Sequence, residues 1–339
     1  MNLRNLTPDE LEAFVRSEGL ERYRAKQLLY WLYKRPVDSF MDMTNLPKDL
    51  RREFEERFEL FSLELHQELV SSDGTRKLLF RTKDGDFVES VLIPDGDRLT
   101  LCVSTQIGCR MGCRFCLTGH QGFRRNLSCA EIVEQFVLAQ RLSERRITNI
   151  VIMGMGEPLD NFENTKRALV LFTHPDALAV SYRRVTLSTV GIIPKLVELL
   201  DRGPKVAVSL SLNAPDPEKR KVIMPIEDRY PMMELLQVLR ERASRGRKPP
   251  TMEYVLLRGF NDAPEDAEKL VKLLRGMRCK VNLIPFNPWE GCGFDRPDEA
   301  SVLEFQRVLI DAGFSAFVRK SRGSDILAAC GQLRWRHTA

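Results

Sequence analysis

Cys109, Cys113 and Cys116 stand as C-x3-C-x2-C in the stretch Cys109-Arg110-Met111-Gly112-Cys113-Arg114-Phe115-Cys116. Thiolates are the usual ligands of iron–sulfur clusters, and a tight loop lets three of them converge on three irons. No fourth cysteine follows at a matching short spacing. One iron of a [4Fe–4S] cluster would therefore stay open to bind and reduce a substrate directly. A closed zinc site asks for a fourth ligand, typically as two C-x2-C-like pairs. The second pair is missing, and His120 is the one nearby substitute.

Other residues acquire meaning from their place beside that loop. Ile150-Val151-Ile152-Met153 reads as a strand running into Gly154-Met155-Gly156-Glu157-Pro158. Glycines there permit close backbone approach, and Glu157 offers a carboxylate to an ammonium group. Polar residues recur where further strands end: Ser188-Thr189, Ser211-Leu212-Asn213 and Asn287. In a β/α series such ends are where a site forms, although each residue alone reads as a turn former or cap. In Phe87–Ile93, Glu89 alternates with Phe87, Val91 and Ile93 and shares their face. From pattern alone it reads as an edge-strand charge.

The elements that must position these groups follow from periodicity. Residues 1–60 read as a helical accessory domain, opened by the capping signal Thr7-Pro8-Asp9-Glu10. Residues 61–94 read as a short antiparallel meander, with turns at Asp73-Gly74 and Asp84-Gly85. From residue 95 to 339 strands and helices alternate. Strands are expected at Leu99–Ser104, Asn149–Met153, Arg184–Ser188, Val206–Leu212, Met252–Leu257 and Cys279–Pro285, with an edge strand at Phe314–Val318. A capping box, Ser128-Cys129-Ala130-Glu131, opens the first helix between them. The pattern predicts an α/β fold with a parallel sheet closed or partly closed into a (β/α)6 barrel. Residues 244–250, basic and turn-rich, read as a loose segment.

Composition narrows the class. The 339 residues are 43% hydrophobic and 29% charged, as in an ordinary globular protein. The start has no apolar core like a signal peptide, and no apolar run is long enough to span a bilayer. A cytoplasmic protein is expected, in which eight cysteines make no disulfide framework. The net charge of +5 proves nothing about partners, but basic clusters at Arg124-Arg125, Arg183-Arg184, Arg240 to Lys248 and Arg319 to Arg322 can neutralise phosphates. They read equally as solvated helix ends and loops.

The cysteine motif after the first strand of a β/α series resembles the radical S-adenosylmethionine superfamily. The resemblance implies an open iron that chelates the cofactor's amino and carboxylate groups, and an electron that cleaves it to a 5′-deoxyadenosyl radical. With Cys102 seven residues before the motif and Cys330 in Asp325–Leu333, the chain resembles the RNA adenine methyltransferases of that superfamily. Glu89–Pro94, Leu101–Gly122, Ile147–Leu159, Arg184–Gly191, Asn282–Pro288 and Arg319–Leu333 carry the likeness.

That likeness implies carbon-2 methylation of an adenine in 23S ribosomal RNA, and of one in some transfer RNAs, by a monomer served by an unidentified reductant. Two S-adenosylmethionine molecules are used per methylation. One methylates Cys330, and a second yields the radical that takes a hydrogen from the methylthio group. The carbon radical adds to adenine, Glu89 accepts a proton, and Cys102 attacks Cys330 to release the RNA and leave a transient disulfide. Gly156, Glu157, Ser188, Ser211, Leu212, Asn213 and Asn287 are implied to contact S-adenosylmethionine. Asn213 stands where better-known members have histidine, so a backbone contact carries over and a ring contact does not. Cys129, Cys279 and Cys292 match no role and are expected to be structural, Cys129 on the buried side of its helix. The alternatives are the antibiotic-resistance branch, which methylates carbon 8 and has alanine where Pro158 stands, and a non-enzymatic metal-binding RNA adaptor.

Overall fold

A computed structural model describes residues 1–242 and 248–334. Residues 244–247 of the expected loose segment, and the end of the Arg240–Lys248 cluster before Lys248, thus lie outside the described residues.

The accessory unit begins with α1 (Pro8–Ser17). Its capping box forms as the sequence predicts: Glu10 N–H donates to Thr7 Oγ1 at 3.3 Å, and Thr7 N–H donates to the Glu10 carboxylate at 2.9 Å. Helix α2 (Tyr23–Leu29) widens into a π turn at Tyr30–Lys34, and α3 (Lys48–Arg57) follows. Leu11, Val15, Leu28, Leu32 and Phe54 fill the space between them.

Strands β1 (Leu63–Val70), β2 (Arg76–Thr82), β3 (Phe87–Asp95) and β4 (Arg98–Cys102) form an antiparallel meander. A small ribbon, β5 (Gln106–Gly108) and β6 (Phe123–Asn126), brackets the cysteine loop and the one-turn α4 (Leu117–His120). The β/α series runs α5 (Cys129–Arg141), β7 (Asn149–Ile152), α6 (Phe162–Thr173), β8 (Val185–Thr189), α7 (Ile193–Arg202), β9 (Ala207–Ser211), α8 (Pro217–Ile223) and α9 (Met232–Arg242). It continues through β10 (Thr251–Leu256), α10 (Pro264–Leu274), β11 (Lys280–Pro285), α11 (Glu299–Asp311) and β12 (Ser315–Val318).

All strands but the ribbon belong to one ten-stranded sheet, ordered β1-β2-β3-β4-β7-β8-β9-β10-β11-β12. Neighbours from β4 to β12 are parallel. Edges β1 and β12 do not pair, so the barrel is open. The meander is continuous with the barrel sheet through the β3–β4 pairing. Consequently β3 is an interior strand, and the edge-strand reading of Glu89 is corrected: its side chain is fully buried.

A carboxylate on α5 fastens the accessory unit to the barrel. Glu134 accepts from Ser62 N–H at 2.7 Å, Leu63 N–H at 2.9 Å and Asn2 Nδ2 at 2.5 Å. The fully buried Arg4 guanidinium lies 4.0 Å away and donates to the Leu32 carbonyl at 3.1 Å. Burial wins over Arg4 in the titration of Glu134, pushing it up to about 7.

Candidate active site

The strand pairings decide which side chains meet. Across β2, β3, β4 and β7, Lys77 pairs with Val91, Val91 with Cys102, and Cys102 with Val151. Partners in register share a face and alternation is two, so Lys77, Glu89 and Cys102 project from one face. Ser188 pairs with Ser209, Ser211 with Glu253, and Glu253 with Asn282 in the same manner.

A cavity of about 150 Å³ opens over these strand ends. It is lined by Cys109, Cys113 and Cys116, by Gly156, Glu157, Ser188, Ser211, Asn213 and Asn287, and by Cys330. Thus ten of the residues singled out in the sequence are brought to one place. Leu212, Glu89 and Cys102 are not lining residues. Leu212 is fully buried, and its backbone N–H donates to the Glu253 carbonyl at 3.0 Å.

The cysteine loop is held from several directions. Cys109 N–H donates to the Gly122 carbonyl at 2.9 Å and Arg114 N–H to the Ile223 carbonyl at 3.0 Å. Trp289 Nε1 donates to the Phe115 carbonyl at 3.2 Å. Burial pushes all three thiols upward, Cys113 to about 12, so ligation must displace their protons. No three His, Cys, Asp or Glu side chains among the described residues converge on the position of one metal ion. A [4Fe–4S] cluster asks for something different, one thiolate on each of three irons, and three thiols around one cavity fit that demand.

Glu157 fits a cationic ligand. Its oxygens accept from Thr189 Oγ1 at 2.5 Å, Leu159 N–H at 3.0 Å and Val190 N–H at 2.9 Å, all neutral donors. Burial nevertheless raises it to about 7. An ammonium binding there requires the carboxylate form. Affinity for S-adenosylmethionine is therefore expected to fall by up to about tenfold per unit as pH drops below 7. Equilibrium dialysis between pH 6 and 8 checks this, and Glu157→Gln should bind weakly with a flat profile.

The neighbouring glycines serve the protein's own backbone. A Cβ on Gly154 would lie 2.7 Å from the Val103 carbonyl oxygen, and one on Gly156 would lie 2.5 Å from Gln106 Cβ. Gly156 also has φ 100°. They let the turn after β7 pack on residues 103–106, from the end of β4 into the start of β5.

Asn213 is committed to the fold. It adopts φ 58°, a left-handed conformation that asparagine tolerates well. Its Oδ1 accepts from Val255 N–H at 3.0 Å, and its carbonyl from Asn261 Nδ2 at 2.8 Å.

A C-terminal strap carries Cys330 to the cysteine loop. Leu117 N–H donates to the Gly331 carbonyl at 2.8 Å, and Thr118 Oγ1 to the Leu333 carbonyl at 2.6 Å. Asn287 Nδ2 holds the Cys330 carbonyl at 3.3 Å. The strap also crosses the meander, where Lys77 Nζ donates to the Leu327 carbonyl at 3.3 Å. Arg334 N–H donates to Glu89 Oε2 at 2.9 Å, and Lys77 Nζ lies 3.1 Å from Glu89 Oε1. Burial raises the Glu89 carboxyl against the opposing pull of Lys77. It thus lies behind the strap, with its proton affinity raised by burial.

Both Cys102 and Cys330 are free thiols. Burial pushes Cys102 up to about 12, the neighbouring Cys330 adds to this, and Arg319 opposes it.

The Radical SAM superfamily profile matches residues 103–274, and that of the "Ribosomal RNA large subunit methyltransferase N-terminal domain" matches residues 1–60. A dual-specificity RNA methyltransferase RlmN of Geobacter sulfurreducens is 49% identical over 98% of this chain and 92% of its own length. That of Geotalea uraniireducens is 48% identical over 99% and 97%. The chain belongs to the RlmN family of radical SAM methyltransferases. A crystal structure of a radical SAM methyltransferase from Sphaerobacter thermophilus superposes with a TM-score of 0.94 at 43% identity, covering 98% of this chain and 99% of that one.

Three residues of this RlmN-type site are marked by no sequence motif: Glu253 and Arg319 in the cavity wall, and Arg220 behind it. Glu253 lines the cavity and receives Asn282 Nδ2 at 3.0 Å. Its alternation with Val255, which also lines the cavity, is the same signal that singled out Glu89. Arg319 belongs to a cluster that reads equally as phosphate-neutralising or solvated, whereas its guanidinium lines the cavity and interacts with Cys330, Glu253 and Cys102. Arg220 is fully buried and ion-paired with Glu227, and it donates to the Val190 carbonyl at 2.9 Å and the Leu212 carbonyl at 3.2 Å. No periodic signal marks it, because a salt bridge seven residues apart is made by a turn after α8.

Proposed function

We propose that this protein methylates carbon 2 of an adenine in 23S ribosomal RNA and of an adenine in transfer RNA, with Cys330 as methyl carrier. The observation that carries the reading is the placement of Cys330 and the three loop cysteines around one cavity. A bound [4Fe–4S] cluster and S-adenosylmethionine would supply the methyl group and the hydrogen-abstracting radical.

The chain's own residues do the rest. Cys109, Cys113 and Cys116 would hold the cluster, and Gly156, Glu157, Ser188, Ser211, Asn213 and Asn287 would line the cofactor, with Leu212 buried behind them. Glu157 grips the ammonium, and the Leu212–Asn213 backbone fixes the adjoining wall. Cys330 accepts the methyl group and, after losing one hydrogen from it, forms the bond to the adenine. Glu89 takes the proton from the ring, with Arg334 N–H moving off Oε2 to admit it. Cys102 then attacks Cys330, and the S–S bond forms as the C–S bond to the methylene breaks. The released methylene takes up a proton to become the methyl group, and the one electron supplied by a bound cluster would return to it. A cytosolic reductant reopens the resulting disulfide, as is usual for catalytic disulfides in that compartment. We place the protein in the cytoplasm as a monomer; no helix among the described residues is long and apolar enough to cross a membrane.

Pro158 after Glu157 favours carbon 2 over carbon 8. Nucleoside mass spectrometry of ribosomal and transfer RNA treated with the reconstituted enzyme should give 2-methyladenosine from both. A pure 8-methyl product would place the protein in the resistance branch. Absence of any methylation by an enzyme that holds iron and sulfide would leave the RNA-adaptor reading.

A further inference from the structure

The outer face of the second helix has a composition that its packing does not explain. The inward face of α2 and its π turn is complete, with Ala25, Leu28, Leu29 and Leu32 buried. Trp31 is anchored through Nε1 to Asn45 Oδ1 at 2.6 Å. Outward, at steps of three, four and four, stand Tyr23, Lys26, Tyr30 and Lys34, all exposed. The tyrosines are 52% and 43% exposed. Single exposed apolar side chains need no explanation, but two rings alternating with two cations along one stripe do.

The charges on the stripe are left available. Arg22 is engaged by Glu12 at 2.7 Å, whereas Lys26 and Lys34 ion-pair with no carboxylate among the described residues. Arg24 stacks over the Tyr23 ring at 4.7 Å, extending the cationic edge. At the other end Lys34 is in the field of both Asp176 and Arg146. The exposed Arg145-Arg146 pair carries the basic surface onto the loop after α5. Seven helical residues separate the rings, about 10 Å along the axis, so each takes a separate base. Stacking platforms alternating with cations are the chemistry of single-stranded nucleic-acid binding. The wide π turn, a feature that recurs at functional sites, keeps Lys34 on the tyrosines' face.

We propose that Tyr23, Lys26, Tyr30 and Lys34 form a docking stripe for unpaired nucleotides of the RNA substrate, two bases stacking on the rings and two phosphates meeting the lysines. This rests on the RNA methyltransferase reading above. The occupant is single-stranded rather than duplex, because exposed rings at this spacing need bases free of their partners.

The test is fluorescence anisotropy of a labelled adenine-rich oligoribonucleotide with the full-length, cluster-loaded protein across a salt series. Tyr23→Ala/Tyr30→Ala should weaken binding at least about 30-fold for two stacked bases. Tyr23→Phe/Tyr30→Phe should retain it, which separates stacking from folding. Lys26→Gln/Lys34→Gln should lower the slope of log affinity against log salt by about 1.4, the value for two single-strand phosphates. Wild-type affinity in the alanine double variant would overturn the proposal. So would unchanged RNA binding with a smaller sedimenting mass, which would make the stripe a contact between copies of this chain. Intact-mass detection of methyl-Cys330 in the same samples judges the carrier reading separately. Its loss in every sample, with the affinity changes intact, would sink that reading and keep the stripe.

Discussion

Cys330→Ala should abolish RNA methylation, a loss on the order of 10⁴-fold or more if the residue forms the proposed covalent intermediate. The cavity predicts where the loss arises. Cys330 reaches the cysteine loop through the strap's backbone, by Gly331 and Leu333 carbonyls and the Asn287 contact on its own carbonyl. None of these uses the thiol. The variant should therefore keep its cluster and still cleave S-adenosylmethionine under reduction, while intact mass shows no added methyl group. The half-buried site should lose little stability, within about 1 kcal/mol. Methylated RNA at a normal rate from Cys330→Ala would remove Cys330 from the mechanism.

Cys102→Ala should do the opposite, trapping the RNA instead of sparing it. With the resolving thiol gone, the bond between Cys330 and the adenine methylene has no intramolecular attacker, and a denaturant-stable RNA–protein adduct should accumulate to near one per enzyme. In the unmodified protein the attack also carries a pH signature. Burial raises Cys102 to about 12, and only the thiolate attacks. Between pH 7 and 9 the reactive fraction rises with pH, so adduct resolution should accelerate by up to about tenfold per unit. A gel-shift time course of the adduct, quenched in acid, reads this directly. A flat profile, or free turnover in Cys102→Ala, would mean that another group performs the release.

Much of this site was legible in residue order because its parts are local. A three-cysteine loop, a glycine-rich strand end and two capping boxes are each made by neighbours in sequence. The observed strands Val185–Thr189, Ala207–Ser211 and Lys280–Pro285 lie within one or two residues of their expected limits, since β-rich runs between turn signals bound them tightly. Cys129 is fully buried as expected.

Glu89 was ambiguous for a physical reason. Alternation assigns a residue to a face, but it does not reveal whether a strand has one neighbour or two. Pairing of β3 with β4 made that strand interior. The inward role of Arg319 is hidden in sequence for a related reason. A cation in a cluster of cations looks solvated until a strand end turns it inward against Glu253 and two thiols. Carbon-2 chemistry itself came from family resemblance, because no spacing of cysteines encodes which carbon of a base is methylated.

The strap has a consequence for how the protein is made. Cys330 is synthesised after every barrel strand and after the loop bearing Cys109, Cys113 and Cys116. A nascent chain stalled before residue 330 would already contain the cysteines proposed to hold the cluster, but not the thiol proposed to carry a methyl group. On the proposed mechanism, competence toward RNA waits for residue 330, when the chain threads back across its earliest β-hairpin, on the side from which Glu89 and Cys102 project.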